Sequence, residues 1–258
     1  MSRPIDRRLL AATEPLRAAA SAGAFAAALP LLGLAPRGDR HPVLVLPGLG
    51  ASDLSTGTLR RWLRSLGYPV VGWELGRNRG PTQEVVDELP RLLERLHAQH
   101  GSPVSIVGQS LGGIYARRLA LRAPAQVRQV ISLGSPFAAT RAEPGSAAAA
   151  AAARAYQRYR PLHSTRRLST SRTSLRRPLP VPSTSIYSRW DGVVPWRACL
   201  QETGPRSENV AVRASHLGMG LDPAVLWVVA DRLAQPADRW RPFRRPTRLG
   251  LGVLFPDD

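Results

Sequence analysis

From His41 onward, short apolar runs alternate with longer stretches whose apolar residues recur at helical spacing. That alternation is the signature of repeated strand-helix units, which close only as a mostly parallel sheet with helices on its faces. Val43 to Leu46 reads as a buried strand that stops at Pro47-Gly48. Residues 55 to 66 follow as a helix with Leu59, Trp62, Leu63 and Leu66 on one face. Val70 to Trp73 is a second strand. Residues 82 to 99 form a helix with Thr82 as its cap, Leu89, Leu92, Leu93 and Leu96 as its apolar stripe, and Pro90 as an irregularity. Val104 to Val107 enters a glycine-rich turn and a helix near 110 to 122, and Val127 to Leu133 is the next strand. Ser183 to Tyr187 and Val210 to Arg213 are the last two, closed by a helix over 222 to 234. The expected fold class is therefore α/β.

Three stretches fall outside this rhythm. Residues 1–40 are basic and then apolar: 18 to 36 hold no charge but are interrupted by Gly23, Pro30 and Gly33. They suit a helix or hairpin packed on the domain or on a membrane face, with a membrane span or a cleaved export signal as alternatives. Residues 137–181 run through seven consecutive alanines into a Ser-, Thr-, Arg- and Pro-rich stretch without apolar period. Such an insertion into a compact domain is expected to be a lid. Residues 239–258 form a basic C-terminal tail. The catalytic unit is thus expected over 41–238.

Composition removes several chemistries. All 36 basic residues are arginine and none is lysine. A Schiff-base enzyme, a resident-lysine pyridoxal enzyme and a P-loop nucleotidase all lack their central residue. The single cysteine, Cys199, excludes an internal disulfide and a CxxC pair, and the five histidines are not spaced as metal ligands. No metal and no cofactor are expected. The net charge of +18 favours anionic surfaces. Nineteen of the arginines, however, lie in 1–40, 154–180 and 239–248, outside the βα units, which reads as solvated surface.

The chemistry is concentrated in a few loops. Gly108-Gln109-Ser110-Leu111-Gly112 matches GxSxG and falls between a strand and a helix, where a strained turn lifts a serine hydroxyl clear of the sheet. A serine hydroxyl is a weak nucleophile and needs a general base, itself oriented by a carboxylate. His216 follows the last strand and is the candidate base. His163, in the irregular insertion, is its competitor. Asp191, in the loop after the strand ending at Tyr187, is the candidate carboxylate. Asp222 is the fallback but sits where it would cap the closing helix before Pro223. Oxyanion donors are expected from the backbone N–H of Leu111 and from that of Leu49, in Leu46-Pro47-Gly48-Leu49-Gly50.

These residues resemble the α/β-hydrolase superfamily, in its bacterial lipase and esterase-like members. The likeness runs over roughly 41 to 235 through VLVLPGLG, GQSLGG, LGSPF, SRWDGVVPW and SHLGMG. It implies an α/β-hydrolase fold with a reduced sheet of about six strands, since none precedes Val43, and a lid insertion. It also implies a Ser110/Asp191/His216 triad without cofactor. Two positions depart from the pattern: Pro47 stands where many lipases carry a histidine, and Phe137 where a polar residue is common. The implied activity is cleavage of carboxylic esters, with an apolar or lipid-like acyl group, through an acyl-enzyme. Thioester hydrolysis or acyl transfer on the same triad, or non-catalytic binding of a basic protein to membrane or nucleic acid, are the alternatives. The expected partners are a small-molecule or lipid ester and, peripherally, an anionic membrane; nucleic acid is not expected. The expected location is the cytoplasm or a membrane surface, with export through residues 1–35 as the alternative.

Overall fold

A computed structural model of the chain describes residues 6–138, 147–168, 174–246, 252 and 255–256. Six strands, β1 (Val43–Leu46), β2 (Val70–Val71), β3 (Val104–Gln109), β4 (Val127–Leu133), β5 (Ser183–Ser188) and β6 (Ser207–Val212), form one sheet in the order β2-β1-β3-β4-β5-β6. Every neighbouring pair is parallel. The chain moves outward from β1 to β2, then crosses back over β1 to β3 and continues the other way. The carboxyl ends of β1 and β3 therefore diverge into the crevice where doubly wound sheets place their ligands.

Alternate strand residues serve two cores. Val43, Val45, Val107, Ile131, Leu133, Ile186 and Val210 face one side with α3 (Gly57–Ser65) and α7 (Pro223–Leu233). Leu44, Leu46, Ile106 and Val130 face the other with α4 (Gln83–His100) and α5 (Leu111–Arg122). Each fully buried leucine or valine contributes roughly 1.5–3 kcal/mol, so both faces are held by burial rather than by the sheet's hydrogen bonds alone. Thr82 Oγ1 caps α4 by accepting from Val85 N, and Gly101 closes it at φ 60°.

The N-terminal stretch forms α1 (Arg7–Ala12) and α2 (Glu14–Leu32). Leu32, Phe25, Ala28 and Leu31 seat α2 on the α7 side, yet Leu16 and Leu29 are 72% and 47% exposed. By length and composition α2 could cross a membrane. Inside the insertion, α6 (Ala147–Tyr159) is the expected helix, and the arm after it crosses the start of α4 through His163, Ser164 and Arg166. In the C-terminal stretch, Phe243 and Phe255 pack together on the first core.

β3 runs two residues beyond Val107, to Gln109, and two further strands differ from the sequence reading for reasons the side chains supply. β2 ends at Val71, because Asp53 accepts hydrogen bonds from the N–H groups of Trp73 and Glu74 and turns the chain out of the sheet. β6 begins three residues early, over Ser207-Glu208-Asn209. These polar side chains are satisfied sideways: Glu208 by Thr184 and Arg232, Ser207 by Ser183.

Candidate active site

Ser110 stands between the end of β3 and the start of α5 at φ 51°, ψ −118°. A non-glycine residue there costs on the order of 1–3 kcal/mol and persists only when its neighbours over-determine it. They do so here. Ser110 N donates to Leu133 O at 2.8 Å, and Ser135 Oγ donates to Ser110 O at 2.6 Å. The flanking glycines follow from the tightness of the turn: a Cβ on Gly108 would stand 2.5 Å from the Gly112 carbonyl carbon, and one on Gly112 would collide with the carbonyl of Leu46.

Both expected oxyanion donors lie at this turn or beside it. Leu111 heads α5, where the first N–H groups of a helix have no intrahelical acceptor. The loop carrying Leu49 passes over Ser110, with a Cβ on Gly48 only 3.2 Å from Ser110 Cβ. In that loop Gly50 N donates to Asn78 O and Ala51 N to Gly48 O, while the Leu49 N–H makes no hydrogen bond among the described residues. Asn78 holds the loop in place. Fully buried, it also donates from Nδ2 to Pro47 O at 2.9 Å and from its backbone N to Ala51 O. Pro47, where a histidine is common, is thus fixed through its carbonyl. The sequence signal for Asn78 was only that of a turn between Gly76 and Gly80.

Asp191 and His216 lie in the loops after β5 and β6. Asp191 Oδ2 meets His216 Nδ1 at 2.7 Å, and its Oδ1 accepts from the N–H groups of Val193 and Val194. The carboxylate therefore cannot swing away from the imidazole. Both residues are buried, at 4% and 6% exposure. Gln109 Nε2 donates to His216 O at 3.1 Å, tying the histidine loop to the residue before Ser110. Ser110 Oγ forms no hydrogen bond with His216 among the described residues; such contacts often tighten only with substrate bound. Burial opposes charging of His216, but the Asp191 charge and hydrogen bond, with the charge of Glu14, outweigh it and raise its pKa above the ordinary histidine value.

Glu14 was not foreseen. It is the first residue of α2, only 3% exposed, and its carboxylate accepts from the backbone of the loops that carry Asp191 and His216. Nothing in its local sequence separates it from an ordinary acidic helix start.

The competing candidates have other tasks. His163 points from the insertion to Arg79 O at 3.0 Å and packs on Tyr156. Asp222 caps α7 by accepting from Ala224 N and Val225 N. A second Ser/His/Asp chain exists at the opposite end of β3, where His41 bridges Asp39 (2.6 Å) and Ser105 (2.6 Å). Phe137 packs under Arg117, 4.2 Å from guanidinium to ring centroid, and so lies at the root of the insertion. No group of three potential metal-ligating side chains occurs among the described residues.

The carboxyl-end crevice, the strained serine between strand and helix, and the Asp191–His216 pair in the loops after β5 and β6 point to one fold. The chain has the α/β-hydrolase fold. Residues 74–198, just under half of it, match the family described as "Putative esterase". Among solved structures, the chain is similar to a monoacylglycerol lipase of Paleococcus ferrophilus, at 17% identity and TM-score 0.53 over 78% of this chain and 96% of that one. It is similar to lipase B of Aspergillus fumigatus, at 18% identity and TM-score 0.58, over 84% of this chain and 56% of that one. A third likeness is to a mature Bacillus licheniformis lipase, at 16% identity and TM-score 0.54, over 78% and 94%. No protein of curated function matches the sequence. These likenesses show a shared fold, at identities too low to carry a substrate.

Proposed function

We propose that the protein is a serine hydrolase that cleaves carboxylic esters with an apolar, lipid-like acyl group. The observation that carries this reading is the His216–Asp191 pair at 2.7 Å, buried at the carboxyl ends of β5 and β6 and tethered by Gln109 to the Ser110 turn. Asp191 holds His216 in the tautomer with its proton on Nδ1, which leaves Nε2 free to take the proton from Ser110 Oγ. The Ser110 oxygen bonds to the ester carbonyl carbon, and the carbonyl oxygen becomes an oxyanion facing the Leu49 and Leu111 N–H groups. The alkoxide then leaves with the proton from His216. Water, deprotonated by the same imidazole, attacks the acyl-enzyme, and the acid departs as Ser110 regains its proton. A raised histidine pKa suits this cycle, because the imidazolium must survive long enough to protonate the leaving group.

The apolar acyl preference is supported by the surroundings. Leu54 and Leu217 are 92% and 55% exposed in the loops that follow Leu49 and His216. Leu9 and Leu16 on α1 and α2 are also exposed. Together with the arginine-rich surface, this suits peripheral contact with an anionic membrane, from which such esters would be drawn. The protein is accordingly read as cytoplasmic or membrane-associated.

The test is hydrolysis of p-nitrophenyl esters from two to sixteen carbons by wild type and Ser110→Ala. Expected is turnover that rises with chain length and falls on the order of a thousandfold or more without the serine. Equal hydrolysis by Ser110→Ala would sink the mechanism.

A further inference from the structure

The N-terminal helices reach into the catalytic centre. Glu14 Oε1 accepts from Gly192 N at 2.7 Å and His216 N at 3.1 Å, and Oε2 accepts from Leu217 N at 3.1 Å. One carboxylate thereby joins the residue after Asp191 to His216 itself. Arg17 holds it from the far side: its Nη2 meets Glu14 Oε1 at 2.9 Å, and its Nη1 donates to Trp190 O at 2.6 Å, on the residue before Asp191. Packing here is close. A Cβ on Gly192 would lie 2.5 Å from Leu10 O, and one on Gly218 would lie 2.5 Å from Ser21 Oγ. Two glycines flanking the Asp191 and His216 loops are thus fitted to α1 and α2, which a segment merely resting on the domain would not require.

We propose that Glu14 is a positioning residue of the triad, fixing the aspartate loop against the histidine loop and setting a second negative charge behind the imidazole. The inference rests on the serine-hydrolase reading above. Three of its four partners are backbone N–H groups, so it acts as an acceptor whose geometry sets where Asp191 and His216 stand. The charged groups around the imidazole are Asp191, in direct contact, and Glu14. Beyond them lie Arg17, paired to Glu14, and Arg213, whose guanidinium lies over the Trp190 ring at 5.7 Å. Glu14 and Asp191 both favour the imidazolium that forms as Ser110 attacks, and both raise the His216 pKa against the effect of burial. It also follows that α2 is part of the enzyme and is not dispensable as a leader.

The test uses the full chain and compares Glu14→Gln, Glu14→Asp and Arg17→Met with wild type and Ser110→Ala across pH, with melting curves for each. Glu14→Gln keeps the shape but removes the charge and turns an amide donor toward one of the backbone donors. Expected is a fall in kcat of about tenfold with KM within about twofold, and an acid limb of kcat/KM displaced to lower pH. Glu14→Asp keeps the charge but falls short of spanning both loops, so the acid limb stays near its wild-type position while kcat remains low. Arg17→Met unscreens the carboxylate and moves the acid limb to higher pH. This holds the inference testable even if a Glu14 variant does not fold. Serine-dependent turnover with the acid limb unmoved in the folded charge variants would overturn the positioning role alone. Serine-independent turnover would overturn the reading beneath it as well.

Discussion

Arg117 is the replacement that most directly tests what holds the insertion to the domain. It lies on α5, fully buried, and donates from Nε to Leu175 O at 2.7 Å, from Nη1 to Gln201 Oε1 at 2.7 Å and from Nη2 to Arg177 O at 2.9 Å. Its face covers the Phe137 ring. One guanidinium therefore clamps the insertion where it leaves the sheet and where it returns. Arg117→Met keeps much of the stem and removes every donor. Hydrogen bonds to a charged group are worth about 1.5–3 kcal/mol each, so a simple count gives roughly 5–9 kcal/mol. The structure reduces that figure. Gln201 Oε1 keeps a partner in Ser183 Oγ, and Arg177 is exposed, so water can replace its lost donor. Only Leu175 O is orphaned. The variant also relieves the burial of a cation that has no carboxylate partner among the described residues, a burial that presses its pKa down to about 9. The net expected loss is about 2–4 kcal/mol, a fall in Tm of roughly 5–15 °C. A structural clamp further predicts that trypsin, which meets many arginines between 154 and 177, cuts the variant there faster than wild type. An unchanged Tm with an unchanged digestion pattern would refute the clamp.

Three further outcomes are expected. Asp191→Asn presents an amide donor or a poorer acceptor to His216 Nδ1 and destabilises the working tautomer; kcat should fall by roughly 10³–10⁴-fold, measured with the same esters, and a loss under tenfold would argue against the pairing. The acid limb of kcat/KM should have its midpoint above the ordinary histidine value, because the base must be neutral and its pKa is raised in the fold. A limb at or below that value would contradict the charge environment described. The same raised pKa stabilises the fold at pH below the ordinary histidine value, and that contribution is lost as pH rises through the folded pKa. Ser105→Ala should lower stability by about 1–2 kcal/mol while leaving ester turnover unchanged; loss of turnover without loss of fold would mean that the second Ser/His/Asp chain is not merely structural.

What could be read from the sequence was whatever is local. The βα rhythm located all six strands, and GxSxG carries its own explanation, since Gly108 and Gly112 are demanded by atoms within the same turn or the adjoining strand end. Asp191 and His216 were legible through their place after consecutive strands. The features that escaped are contacts between distant parts of the chain. Glu14 reaches residues about two hundred positions away, Asn78 supports a loop thirty residues upstream, and Arg117 binds carbonyls about sixty residues downstream. In each case the residue type suits an ordinary surface role, and only the fold converts it into a buried clamp. The early start of β6 escaped for the same reason: Glu208 is buried because Arg232 and Thr184 meet it, which no apolar period could announce.

The Ser105/His41/Asp39 chain shows why residue types and distances do not by themselves identify a site. The His41 chain has the tighter contacts, with both hydrogen bonds at 2.6 Å, and its serine is engaged by the imidazole. Yet Ser105 is fully buried in β3, near its amino end, five residues and some 16 Å of strand from Ser110. No helix begins there to offer unpaired N–H groups, and Asp39, the orienting carboxylate, is the exposed member and is also paired to Arg128. Burial lowers the His41 pKa more than Asp39 raises it, so the imidazole resists the proton a general base must accept. At Ser110 each term is reversed. The carboxylates are buried behind the histidine, its pKa is raised, a helix starts at the next residue, and the serine stands at the sheet's carboxyl edge where an ester can approach. Under the proposed function, the opposite displacements of the two histidines' pKa values and the helix start beside Ser110 assign the catalytic role to His216 and leave His41 as a structural pin.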